Sequence, residues 1–174
     1  SVNIIHEHRF AFYFWARFFH EYIERKKYWG ESRPILVSID YHNDVGADND
    51  CDSDDLKALD VSNQTELALF CWSYLNPLND GHILPALYLN MFSDVYILNT
   101  NQVTGQDRTY SDREGSTHNI KYFSDVDDLL KALQPESSPL YLDLDLDYFT
   151  EYSDPGGITG SAEIVSTDEI RNIL

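Results

Sequence analysis

Asp40-x-His42-x-Asp44 closes the apolar run Ile35-Leu36-Val37-Ser38-Ile39 and sets two carboxylates and an imidazole at alternate positions. In extended chain, residues two apart project to one side, so a strand end and the turn behind it can aim all three groups at one point. Hard oxygens with one ring nitrogen and no thiolate suit a divalent cation such as Mn²⁺ better than a structural zinc. A second array of this kind, Asp143-x-Asp145-x-Asp147, stands far downstream, and Glu7-His8 precedes an aromatic segment near the start. Three aspartates on one strand face repel one another unless a cation offsets their charge. Groups so distant in the chain describe a metal site that only the fold can assemble.

The elements that must position these groups can be read from the pattern. Val2 to Ile5 reads as a short strand running into His6-Glu7-His8, followed by a helix from Phe10 to Trp29 whose aromatics face several directions and are expected to be buried on more than one side. Arg33 to Asp40 reads as a strand covered on both faces. Helical patterns cover Ser53 to Leu59, Gln64 to Leu75 and a segment from near Asp80 through Leu84 to Phe92. Asp94 to Asn99, His118 to Phe123 and Pro139 to Asp147 read as strands, with Thr100 to Ser116 a loop or weak hairpin. Ser124 is the expected cap of a helix over Val126 to Leu133, and Ser166 to Glu169 looks like a further helix start. Strands alternating with helices imply a parallel α/β sheet, in which ligands gather at the carboxyl ends of strands.

The chain has 174 residues and a formal net charge of −18. The length suits one domain, and the charge argues against nucleic acid or an anionic membrane as partner, since both require clustered Lys and Arg. Cys51 and Cys71 form no disulfide framework and read as free thiols of a cytoplasmic protein. Both ends look cut. Asp48 to Asp52 lacks the Gly and Glu of a calcium loop. The acidic segment holding Asp50, Asp52, Asp54 and Asp55 is better taken as a charged lip able to steer a cationic chain.

In order, Glu7-His8, Asp40-Tyr41-His42-Asn43-Asp44 and Asp143-Leu144-Asp145-Leu146-Asp147 resemble the three signatures of the arginase/ureohydrolase family, G-G-D-H-S, D-A-H-x-D and S-x-D-x-D. The middle signature is matched at each ligand position, the first loosely. In the third, Asp143 stands where the family has Ser, and Tyr148-Phe149-Thr150 replaces the usual continuation. Those departures bring the chain nearest to the small peptide arginases, which convert arginine to ornithine within ribosomally made peptides. The resemblance implies a single domain over residues 1–174, a three-layer parallel sheet with helices on both faces, arginase-deacetylase-like and shortened. It implies two Mn²⁺ held by His8, Asp40, His42, Asp44, Asp145 and Asp147, with Asp40 and Asp145 shared between them. Asp143 and His6 would stand just behind the ligands, and the register with Asp143 and Asp145 as ligands stays open. Asp44 would act in the chemistry, and His82 is the candidate proton shuttle. An arginine-containing peptide would be the substrate. Free arginine, agmatine or another guanidino compound, and a silent metal- or peptide-binding domain, are the competing readings. Oligomeric state is left open.

Overall fold

A computed structural model describes residues 2–29, 32–46, 54–76, 78, 80–99, 105–135, 138–152 and 162–164. Its centre is a five-stranded sheet of β1 (Ile35–Asp40), β2 (Val95–Asn99), β3 (Arg108–Ser111), β4 (Thr117–Phe123) and β5 (Leu140–Leu144), in the order β3-β4-β2-β1-β5. β1 runs parallel to β2 and β5, and β2 parallel to β4, while β3 folds back antiparallel on β4. Among the described residues five α-helices accompany the sheet: α1 (Ala11–Trp29), α2 (Asp54–Ala58), α3 (Gln64–Ser73), α4 (Ile83–Tyr88) and α5 (Val126–Leu133). A separate antiparallel ribbon pairs β6 (Thr150–Tyr152) with β7 (Ala162–Ile164).

Every residue of β1 and β2 is buried, as unbroken apolar strands require. On one face Leu36, Val95, Ile97 and Ile120 pack with side chains of α1, α3 and α4. On the other, Ile35, Val37, Ile39, Tyr96 and Leu98 meet Leu129 of α5 together with Tyr148 and Phe149. The expected strands and helices between Phe10 and Leu144 are thus mostly present, and helices lie on both faces. Cys71 sits in the first of these cores, where burial pushes its thiol up to about 12. No helix among the described residues is long and apolar enough to cross a membrane.

Several boundaries differ from expectation. Residues 2–5 form no strand: Val2 and Ile4 are 91% and 95% exposed, because the described sheet offers them no neighbour. α1 buries one stripe, Ala11, Phe12, Trp15, Ala16 and Phe19, and leaves Phe10, Tyr13, Phe14 and Phe18 half-buried on its flanks. α4 stops at Tyr88, ahead of the left-handed Asn90 (φ 59°), so Met91 and Phe92 enter the core from irregular chain. Asp125, one residue past Ser124, caps α5 by accepting from the Asp128 amide. The last strand ends at Leu144 rather than Asp147, and the chain turns into a 3-10 turn over Leu146–Phe149. Ser166 to Glu169 lies outside the described residues.

The β3–β4 hairpin is locked by a buried carboxylate. Asp112 accepts from the amides of Glu114 and Ser116, both at 2.8 Å, across a turn where Gly115 takes φ +83°. Its other oxygen lies 3.3 Å from Nε2 of buried His118, whose Nδ1 is 2.8 Å from the Ser93 carbonyl oxygen. Burial opposes the charge of Asp112, yet these donors outweigh it and hold the carboxyl below its ordinary range. Asp112→Ala strands two amides and an imidazole, so chemical denaturation should show a loss of about 2–3 kcal/mol. A change below half a kcal/mol would mean that the lock is ornamental.

Candidate metal centre

β1 lies between β2 and β5, and that order closes the gap between the two acidic arrays. Ile39 pairs with Leu144, and the Asp145 amide donates to the Ile39 carbonyl at 2.9 Å, so Asp40 and Asp145 meet at adjoining strand ends. Past this point Asp147 N–H donates to the Asp145 carboxylate at 3.2 Å, turning the chain and swinging Asp147 toward the loop after β1. There Asp147 Oδ1 accepts from the Tyr41 amide at 3.2 Å. His8 arrives from the other side, in a 3-10 turn over His8–Phe10 that leads into α1.

Asp44 is carried by a loop with left-handed backbone, φ +48°, a conformation Asp tolerates better than most residues. The loop is pinned two residues on, where the Gly46 amide donates to the Asp80 carbonyl. A Cβ at Gly46 would stand 2.6 Å from that oxygen, so only glycine permits the approach.

Two adjacent groups of donors result. Around His8, Nδ1 lies 2.7 Å from Asp44 Oδ2, 3.1 Å from Asp40 Oδ2 and 3.1 Å from Asp145 Oδ2. Around His42, Nδ1 lies 3.1 Å from Asp147 Oδ2 and 3.5 Å from Asp40 Oδ1. Asp40 therefore offers one oxygen to each group, and its Oδ1 also accepts from the His42 amide at 2.7 Å. Together the six sequence-selected residues occupy one place. Asp143, still within β5, approaches His8 from behind: its Oδ2 is 2.8 Å from His8 Nε2. That contact occupies one ring nitrogen and leaves Nδ1 facing the three carboxylates, the arrangement by which a carboxylate fixes a metal-binding imidazole.

The charges are unbalanced without a cation. Burial would depress His8, but Asp143, Asp145, Asp40 and Asp44 prevail and raise it strongly. Burial likewise works against the Asp40 carboxylate, and the nearby His42 and His8 rings overcome that and hold it ionised far into acid. Asp44 goes the other way, pushed up to about 7 by burial that His8 only partly offsets, with the Asp40 charge adding to the shift. His42 is raised to about 10, by Asp147 first and Asp40 second.

A single N–H on His8 Nδ1 cannot serve three carboxylate oxygens, and Asp40 Oδ2 and Asp44 Oδ2 are buried without a hydrogen bond. Orphaned anionic oxygens beside an imidazole fit a divalent cation, and the donors are all oxygen and nitrogen. His8, Asp40 and Asp44 lie close enough to bind one ion together, as do Asp40, His42 and Asp147. His8, His82 and Asp143 form a third such set. The first two open onto a cleft of about 390 Å³ that His6, Leu78 and Asp80 also line.

The other sequence-selected residues fall as follows. His82 is fully buried, its ring 4.5 Å from that of His8 and 5.2 Å from Trp15. Its Nε2 lies 3.7 Å from Asp44 Oδ2, and it is not among the residues lining the cleft, a position that suits bracing His8 more than reaching a leaving group. His6 is exposed on the cleft wall. Asp54 and Asp55 are exposed in the first turn of α2, where carboxylates complement the helix dipole, and neither lines the cleft. Asp50 and Asp52 lie outside the described residues.

Asp80 and Asn99 belong to no motif in the sequence, Asp80 standing only at the approach to a helical pattern. Asn99 ends β2 beside Asp40, buried and with neither amide atom hydrogen-bonded. A polar residue closing the apolar run Val95-Tyr96-Ile97-Leu98 was the available signal. No protein-family model matches the chain, and no curated protein matches it.

If Asp143 orients His8 without itself binding the ion, Asp143→Asn should weaken Mn²⁺ binding about 10- to 100-fold and leave measurable metal. Calorimetric titration reads this directly, and complete loss of binding would make Asp143 a ligand.

Proposed function

We propose that this chain is a dinuclear manganese hydrolase with an arginase-like fold, converting arginine side chains of a peptide to ornithine with release of urea. The observation that carries the reading is the pair of donor groups sharing Asp40, together with the order of the three motifs that supply them. One ion would be held by His8, Asp40, Asp44 and Asp145, the other by His42, Asp40 and Asp147. Asp145, expected to be shared as Asp40 is, faces His8 alone and spends its other oxygen on the Asp147 amide. When bound, such a pair supplies water acidic enough to act as a nucleophile near neutral pH.

The chain's own groups have three tasks. The carboxylates offset the charge of the cations, so that a guanidinium can enter. Asp80, on the cleft wall, adds a further anion facing a cationic side chain. As the water oxygen bonds to the guanidinium carbon, the bond from that carbon to the side-chain nitrogen breaks, and both water protons end on that nitrogen, which leaves as an ammonium while urea departs neutral. His6, exposed on the cleft wall, would relay one of these protons, and His82 would steady His8, whose ring lies 4.5 Å from its own.

The test is mass spectrometry of an arginine-containing peptide incubated with the Mn²⁺-loaded protein. Loss of CH₂N₂ from the peptide, matched by urea, is expected. Turnover of free arginine or agmatine with an untouched peptide would keep the metal chemistry and sink the peptide assignment.

A further inference from the structure

The half-buried flank of α1 borders a second concavity, of about 330 Å³, lined by Ile5, Phe10, Tyr13, Phe14 and Ala68 together with His6. His6 also lines the acidic cleft, so the two hollows meet at one residue. Their chemistry is opposite. Asp40, Asp44, Asp80, Asp145 and Asp147 make the cleft a place for a cation. The groove is aromatic, with the Tyr13 and Phe14 rings meeting edge-on at 5.2 Å. Glu7 also lines the groove, but its carboxylate is already paired through two contacts with Arg9, at 2.6 and 2.9 Å, so the groove competes little for the cation.

We propose that this groove binds an apolar side chain adjacent to the arginine in the same peptide, so that the site reads a cationic residue and an apolar neighbour together. The inference rests on the peptide reading above and adds a sequence preference to it. Successive residues of an extended peptide advance about 3.3–3.6 Å, so a neighbour of the arginine extends past the residue that the two hollows share and toward the groove. The parts of these half-buried aromatic rings that still face the groove give that side chain apolar surface to cover. Charge complementarity in the cleft fixes which residue of the peptide goes where.

The experiment compares Nα-acetyl-arginine amide with short arginine peptides carrying Leu or Phe, or else Gly or Asp, on either side of the arginine. Both kcat/KM and calorimetric affinity are measured on the Mn²⁺-loaded chain. Leu or Phe on one side should raise both quantities about 10- to 100-fold over Gly, the range expected for seating one apolar side chain. Ala68→Glu places a charge in the groove at a helical position that accepts Glu. It should erase the preference and leave acetyl-arginine amide turnover unchanged. Phe14→Leu should shrink the preference and serves if the first variant fails to fold. Equal values for apolar and polar neighbours overturn the proposal, as does a preference that survives Ala68→Glu. Should no arginine substrate turn over, the hydrolase reading fails by itself, and the affinities alone then support or overturn the groove.

Discussion

Asp40→Asn protein is expected to purify folded, to show no Mn²⁺-dependent rise in melting temperature, and to lose activity by at least about 10³-fold, since a shared carboxylate serves both ions of a two-metal site. The substitution keeps an oxygen where Asp40 Oδ1 receives the His42 amide, so the turn after β1 retains its hydrogen bond. What disappears is the charge that faces His8 Nδ1 at 3.1 Å and His42 Nδ1 at 3.5 Å. A protein with one-ion chemistry behaves otherwise: an Asp147→Ala variant, altered only in the His42 group, would then keep its turnover. Titration calorimetry of both variants, set beside activity, separates the cases. Two ions bound by the Asp40→Asn protein with native affinity would refute the shared-ligand geometry.

Mn²⁺ should stabilise the chain more at pH 8 than at pH 5.5, and the metal-free chain should change in the opposite sense. Asp44 is raised from 3.8 to about 7. Between those values the folded metal-free chain holds a proton that the unfolded chain has released, so stability falls as pH rises through this window. His8 and His42 act in the same direction. Their stabilisation is complete below the unfolded value near 6.5 and is lost as pH climbs toward the folded value, which for His42 is about 10. His42 contributes the smaller share, because its exposed ring is screened by solvent. Asp40 and Asp145 are lowered and set the acid limit: their contribution is present above the ordinary carboxylate range and lost as pH falls below it.

A cation must displace the protons held on Asp44 and His8, so its affinity should rise about tenfold per pH unit for each proton expelled. Thermal melts with and without Mn²⁺ at the two pH values test this, and calorimetry in buffers of different ionisation enthalpy counts the protons. A metal-induced shift that is the same at both values would mean that the ion binds elsewhere.

Much of this site was legible because alternation is a strong signal. The unbroken run Ile35 to Ile39 announced a doubly covered strand, and the polar residues closing it announced a strand-end site. Asp143-x-Asp145-x-Asp147 announced a second one, but equal spacing could not say which two aspartates face the cleft. That depended on where β5 leaves the ladder, after Leu144, which follows from β1 ending at Asp40. The position of His8 was harder to foresee. Val2 to Ile5 has strand composition, yet strand pairing is a long-range contest, and the described sheet gives these residues no neighbour. Asp80 was hidden for a similar reason: nothing local tells that its carbonyl will press on Gly46 and bring its side chain to the cleft wall.

The pairing of β1 with β5 also has a temporal consequence. His8 and Asp143 touch although they stand 135 positions apart in the chain, and the donor groups are complete only when the last of the five strands has docked on the first. Closure over such a span belongs to the slow part of folding, so the partly folded chain has no assembled site for the ion to grip. An ion that binds only after the rate-limiting step cannot hasten it. Mn²⁺ should therefore leave the refolding rate nearly unchanged and retard unfolding, acting as a latch on the finished sheet rather than a template for building it.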